Sequence, residues 1–165
     1  MERDKIDLSL MVRQLVDLYQ PALAERGHEV VTQLQDHIVI DGDSSLITRV
    51  IENLLENELT HLPSGCRIAI RLSALNETAE LRIDDNGPGF PPELRKRAFD
   101  RFVKGLHSPG HGLGLAFVHA VVRAHGGDAG ISDSLGAGAG IILSFPLLTA
   151  EGPSTSSRRA CPEVA

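Results

Sequence analysis

The chain has 165 residues, 42% of them hydrophobic, which suits one globular domain with a core of ordinary size. Its net charge of -6, from 22 acidic and 16 basic residues with no basic stripe, argues against a nucleic-acid partner. Cys66 and Cys161 lack neighbours at metal-ligand spacing, and the charged start at residues 1–5 leads into no long apolar run. These features predict a reducing, cytoplasmic setting without structural disulfide, zinc, signal peptide, membrane span or direct membrane contact.

Val12, Leu15, Val16, Tyr19, Ala22 and Leu23 recur at helical spacing and predict a first helix from Ser9 to about Glu25, with Ser9 as its N-cap and Gly27 at its end. Two short strands are expected next, His28 to Leu34 and His37 to Ile40, followed by the Asp41-Gly42-Asp43 turn. A second helix, capped by Asp43 or Ser44 and stopped at Pro63-Ser64-Gly65, carries Leu46, Ile47, Val50, Ile51, Leu54, Leu55 and Leu59 as a broad apolar stripe. Such a stripe needs a sheet to cover it. Cys66, Ile68, Ile70 and Leu72 alternate with Arg67, Arg71 and Ser73, the signature of a half-buried strand. Its hairpin partner returns across Asn76-Glu77 as Ala79 to Asp84. Residues 91–110 lack a strand pattern and read as a mobile segment with one short helix around Glu93 to Ala98. A third main helix, Gly114 to His125, precedes two last strands near Ala129 to Asp133 and Ile141 to Pro146. Between them, Gly136-Ala137-Gly138-Ala139-Gly140 reads as a flexible turn. The whole predicts a layered α+β domain over residues 1–149 and a disordered tail over 150–165.

Three features bear on chemistry. Asp85 opens the glycine turn Asp85-Asn86-Gly87-Pro88-Gly89-Phe90. It is either an ordinary Asp-Asn-Gly turn or a carboxylate that selects adenine through its exocyclic amine, with Gly87 and Gly89 letting the backbone approach the ring. Gly110, Gly112, Leu113, Gly114 and Leu115 form a second turn from which a helix opens, so unpaired N–H groups and a positive helix end face either phosphate or solvent. It is neither a dinucleotide fingerprint nor a P-loop. Asn53, Asn57 and His61 share one face of the second helix, either as surface polar groups or with the asparagine side-chain oxygens as neutral ligands for Mg²⁺.

In order, these residues resemble the GHKL superfamily of ATP-binding domains, most closely the catalytic domain of bacterial two-component sensor histidine kinases. Residues 49–61 look like the N box, Asp85 to Gly89 like the first glycine box, Phe99-Asp100-Arg101-Phe102 like the F box, and Gly110 to Leu115 like the second glycine box. The resemblance covers nearly all of residues 4–148. It implies a Bergerat-type, two-layer α/β sandwich: a mixed, mostly antiparallel sheet covered on one face by about three helices, with an ATP cleft under a mobile lid.

Carried over residue by residue, it implies that Asn57 binds Mg²⁺, Asn53 supports the phosphates and Asp85 recognises adenine. Arg101 and Lys104 reach phosphate from a lid running from Pro91 to Pro109, which Phe99 and Phe102 anchor. The chain departs from the family where Glu58 and Thr60 stand in the place of an alanine and a lysine. The first brings a negative charge near the ligand and the second removes a phosphate contact. His111, in place of a small hydroxyl residue, reads as a tolerated exposed side chain.

Water-hydrolysing relatives place a glutamate at the position of Asn53. An amide is no useful base, so Asn53 points to phosphoryl transfer. None of the seven histidines has the context of a phosphoacceptor. The resemblance therefore implies a fragment of a longer kinase, its parent anchored in the inner membrane, with the acceptor histidine on a separate dimerisation domain and a response regulator downstream. Two other readings stay open: a nucleotide-sensing or partner-binding module without catalysis, and a stand-alone serine kinase of the anti-sigma type.

Overall fold

The computed structural model describes residues 1–100, 114–132 and 138–149. Strand β1, Asp4–Asp7, leads directly into helix α1, Leu8–Glu25. Because the chain enters extended, Asp7 is the N-cap, its carboxylate accepting from the Leu10 N–H at 2.9 Å. Ser9, predicted as the cap, instead lies buried in the first turn. Its hydroxyl donates to the Gln35 carbonyl at 2.6 Å and accepts from the Ile38 N–H at 3.0 Å, tying the helix to the connection between β2, Glu29–Leu34, and β3, Val39–Gly42. Strand β1 was not foreseen. It pairs antiparallel with β3 in a small two-stranded sheet, and with Ile6 as its one buried residue it carries no alternation to read.

Helix α2, Ser44–His61, is capped by Asp43 as expected, its carboxylate accepting from the Leu46 N–H at 3.1 Å. Strands β4, Arg67–Leu75, and β5, Thr78–Asp85, form the predicted hairpin, with Asn76 in the left-handed region at φ 55. A short helix α3, Pro92–Arg95, follows; then come α4, Gly114–Ala124, β6, Asp128–Ile131, and β7, Gly140–Pro146. The main sheet has the order β2-β4-β5-β7-β6, parallel only between β2 and β4. That is the mixed, mostly antiparallel sheet the resemblance implied.

One sheet face builds the core. Ile68, Ile70 and Leu72 of β4, Leu81 and Ile83 of β5, and Leu143 and Phe145 of β7 meet Ile47, Val50, Ile51, Leu54 and Leu55 of α2, Leu15 and Leu23 of α1, and Val118 and Val122 of α4. Each such side chain taken fully from water contributes about 1.5–3 kcal/mol. The other face of β5 is polar, with Asp84 bonded by Arg82 at 2.7 Å and by the Ser132 hydroxyl at 3.0 Å.

The end of α4 is fastened to the start of α2. His125, at the end of the predicted third helix, is buried. Its Nδ1 donates to the Val121 carbonyl at 2.7 Å and its Nε2 accepts from the Asp43 N–H at 3.0 Å. Gly42 makes room for that ring, since a methyl there would stand 2.7 Å from His125 Cδ2. Replacing His125 by Ala strands the partly buried Asp43 N–H and leaves a void. Urea denaturation should show a loss of about 1–3 kcal/mol, and an unchanged midpoint would contradict this role.

Candidate functional site

The site begins in the alternation of β5. Ala79, Leu81 and Ile83 face the core, and the next residue on that face is Asp85, 8% exposed. Period two thus carries a carboxylate to the inner side of the sheet, under the helices. Its Oδ1 accepts from the Gly87 N–H at 2.8 Å and from the Ala139 N–H at 3.3 Å. Burial pushes the Asp85 carboxyl above its ordinary range, and the two N–H bonds pull against that shift. Asn86 pins the turn to the start of β4: its N–H donates to the Arg67 carbonyl at 3.2 Å and its side chain accepts from the Arg67 N–H at 2.7 Å.

The polar face of α2 meets the start of α4. A methyl built on Gly114 would stand 3.5 Å from Asn53 Oδ1 and 3.9 Å from Asn57 Oδ1. The two asparagines therefore present their oxygens to the N-terminal turn of a helix of 11 residues, where N–H groups lack partners within the helix. Asn53 keeps its Nδ2 occupied on the Arg49 carbonyl at 2.9 Å. His61, third in that polar line, is exposed at the helix end and joins none of this. Glu56 is turned toward α1, where it accepts from the Tyr19 hydroxyl at 3.1 Å. Burial and Glu56 together raise the Tyr19 phenol to about 12. Glu52 acts on Tyr19 in the same direction.

Glu58 differs from its expected role. It is 8% exposed, on the core side of α2, and the cost of burying a charge raises its carboxyl to about 8, with Asp85 and then Asp84 adding repulsion. It therefore holds its proton to higher pH than an exposed glutamate does, which weakens the negative charge expected from the sequence. Its Oε2 has no hydrogen-bond partner among the described residues. Burial, followed by Asp85 and Glu58, also pushes the Cys66 thiol up.

One contributor was missed in the sequence. Gly138 belongs to the glycine stretch read as a flexible turn, yet it packs on the backbone of Asp85, and a Cβ there would overlap the Asp85 carbonyl and stand 3.0 Å from Asn86 Cα. Gly87 is also constrained, because a methyl would lie 2.6 Å from Leu62 Cδ2 and 3.0 Å from Asp85 Oδ1. Gly89 has φ 74, which suits a residue without a Cβ. Leu115 is half-buried against the core, and Phe99 lies 5.5 Å from the ring of His119 on α4. Arg101, Phe102, Lys104, Gly110, His111, Gly112 and Leu113, and the tail over 150–165, lie outside the described residues.

The arrangement defines a class of protein: a mixed sheet under helices, with an inward carboxylate at one end of α2 and asparagines facing a helix start at its middle. Residues 42–149 match the family of histidine kinase-, DNA gyrase B-, and HSP90-like ATPases, and the chain belongs to that family. Within it the chain is of the sensor histidine kinase catalytic-domain type. It is 37% identical over 143 residues to the probable sensor histidine kinase TcrY of Mycobacterium tuberculosis, an alignment spanning 82% of this chain and 30% of the relative. The mycobacterial sensor histidine kinase MprB structure superposes with a TM-score of 0.75 at 30% identity, covering 87% of this chain and 98% of that one. Full-length ShkA in complex with AMPPNP gives a TM-score of 0.77 at 27% identity, over 93% of this chain and 33% of that one. The chain thus spans less than a third of its curated relative's length.

Two measurements test the site's construction. Between about pH 4.5 and 8 the unfolded chain has released the Glu58 proton that the folded chain keeps, so stability falls as pH rises through that window. Asp85, also raised, adds to the same slope. Glu58→Gln has no proton to lose and should flatten the decline in Tm; an identical slope would show that Glu58 ionises normally. Gly138→Ala forces the Asp85 backbone to move and should cost about 1–3 kcal/mol, whereas Gly130→Ala, which meets nothing within 4 Å, should stay within about 0.5 kcal/mol. Equal effects in chemical denaturation would remove the Gly138 contact from the account.

Proposed function

We propose that the chain binds Mg²⁺-ATP between α2, the two glycine turns and the lid, and presents the γ-phosphoryl group to a histidine on a dimerisation domain of the same kinase. The observation that carries this reading is the approach of Gly114, at the start of α4, to the side-chain oxygens of Asn53 and Asn57, with the buried Asp85 beyond the other end of the same helix face. Phosphate oxygens suit the α4 N-terminus, and a neutral amide oxygen suits Mg²⁺ that keeps its phosphate and water ligands. The residues therefore fit the group: Asn57 would hold the metal, which supplies charge neutralisation between the phosphates when bound. Asn53 would orient the phosphates. Asp85 would accept from the exocyclic amine of adenine, with Gly87 and Gly89 letting the backbone lie close to the ring. Arg101, Lys104, Gly110, Gly112, Leu113, Gly114 and Leu115 would complete the phosphate end and the lid.

In the transfer, the bond between the γ-phosphorus and the bridging oxygen breaks, a bond from phosphorus to an imidazole nitrogen forms, and ADP leaves. The chain's part is to position and to stabilise charge. Asn53 supplies no proton acceptor, which disfavours hydrolysis and leaves the phosphoryl group for the incoming histidine. On this reading a response regulator receives the phosphoryl group downstream, and an anchored parent kinase holds this domain on the cytoplasmic side.

Calorimetry with Mg²⁺-ATP should show affinity losses of about 10- to 100-fold for Asp85→Ala and Asn57→Ala. Unchanged affinity in both would sink the cleft as described. Adding a matched dimerisation domain and following phosphohistidine formation separates the kinase from a module that binds nucleotide without transfer, the reading that Thr60, in place of a lysine, favours. Formation of phosphohistidine with a wild-type but not an Asn53→Ala chain supports transfer.

A further inference from the structure

Strand β5 ends in two adjacent carboxylates, which its alternation sends to opposite faces of the sheet. Asp85 points inward; Asp84, on the outer face, has no part in the cleft just described. Both of its oxygens are engaged. Oδ1 accepts from the Ser132 hydroxyl at 3.0 Å, and Oδ2 accepts from Arg82 Nε at 2.7 Å with Arg71 Nη1 3.6 Å away. Ser132, 5% exposed, is bonded at every polar group it has. Its N–H donates to the Gly140 carbonyl at 2.8 Å, its hydroxyl also accepts from Arg82 Nη2 at 3.2 Å, and its carbonyl accepts from Arg95 Nη2 of α3 at 3.4 Å. Gly140 stands opposite Asp84 in the ladder between β5 and β7, and a Cβ on it would overlap both the Ser132 hydroxyl and the Asp84 carboxylate. The ends of β5 and β6 and the start of β7 are thus clamped together on the outer face, one residue from Asp85.

That clamp reaches the inner face through the residues that precede Gly140. The Ala139 carbonyl accepts from the Asp85 N–H at 2.9 Å, the Ala139 N–H donates to Asp85 Oδ1 at 3.3 Å, and Gly138 packs on the Asp85 carbonyl. The Gly87 N–H falls on the same Oδ1. Oδ2 therefore carries no hydrogen bond among the described residues and keeps its lone pairs for a ligand. Resting on the reading of Asp85 as the adenine contact, we propose that Asp84 and Ser132 are positioning residues for base selection. By holding Gly140, and with it the Ala139 N–H, they fix which oxygen of Asp85 meets the base and in what direction. An acceptor held in one place rewards the exocyclic amine of adenine and refuses a base that has an oxygen there. A carboxylate able to turn also finds donors elsewhere on other bases and discriminates less.

The test is calorimetry with Mg²⁺-ATP and with the Mg²⁺ complex of purine riboside triphosphate, which lacks only the exocyclic amine, at a temperature where each variant is folded. The wild-type chain should prefer ATP by about 10- to 100-fold, and Asp85→Ala should remove that preference. Ser132→Ala and Asp84→Ala should each cut the preference by roughly threefold or more. Asp84→Asn, whose amide oxygen still accepts from the Ser132 hydroxyl, should retain most of it. Ser132→Ala deletes a single hydroxyl and covers the case in which Asp84→Ala fails to fold. A side chain that serves stability alone lowers Tm and leaves the preference untouched, so a preserved preference in either folded Ala variant overturns the proposal. An equal loss in Asp84→Asn and Asp84→Ala also overturns it, because the effect would then belong to the charge beside Asp85 and not to the clamp. The two levels separate cleanly: a wild-type chain that binds both nucleotides equally removes the adenine reading of Asp85 itself, whereas a preference lost in Asp85→Ala and kept in Ser132→Ala removes only the positioning role.

Discussion

The molecule depends on a carboxylate at the end of a strand, on the buried side of the sheet. Asp85 takes the core-facing position that Leu81 and Ile83 define, and the charge it brings is made tolerable by N–H groups from Gly87 and Ala139. Uncompensated, such a group would be expelled to solvent or protonated. The hairpin that delivers it, the β7 approach that supplies Ala139 and the close packing of Gly138 on its backbone are all arranged around holding it still. A carboxylate held in place in a partly dry site discriminates between ligands far better than a mobile one in water.

The second requirement is that α2 and α4 keep a fixed relation. At one end of α4 the His125 ring receives the Asp43 N–H at the cap of α2; at the other, Gly114 approaches the asparagines two and three turns along α2. These two contacts set the helices relative to each other over most of their length. Shared burial of Val50, Leu54, Val118 and Val122 supplies the energy, while the polar contacts determine register. Asn53 and Asn57 consequently face a helix N-terminus, a place suited to anions.

Much of this was legible in the chain. The stripe of Leu46 to Leu59 and the alternation of Cys66 to Leu72 follow from periodicities of 3.6 and 2, which report burial directly, whereas the sheet class came from the family resemblance. Motif order pointed to Asp85 and to the asparagine face before any contact was known. The failures share a cause. Ser9 was read as a cap because local composition favours it, but β1 enters one residue earlier and Asp7 takes that role. His125 read only as the end of a helix and Gly138 as a turn residue, and they proved to be contacts between segments 82 and about 53 residues apart in the chain. Glu58 looked like a charge near a ligand; its protonation is a property of neighbours that α2 meets only after folding.

By itself the amino-acid sequence determined most of the elements and which residue types were available for nucleotide chemistry, because hydrophobic period and turn chemistry act over a few residues. Only the tertiary structure decided which of those polar groups are buried, which are paired, and which meet across the cleft. Desolvation and hydrogen bonding at Asp85, Glu58 and His125 depend on residues from other strands and helices, and no local pattern encodes the field those neighbours create.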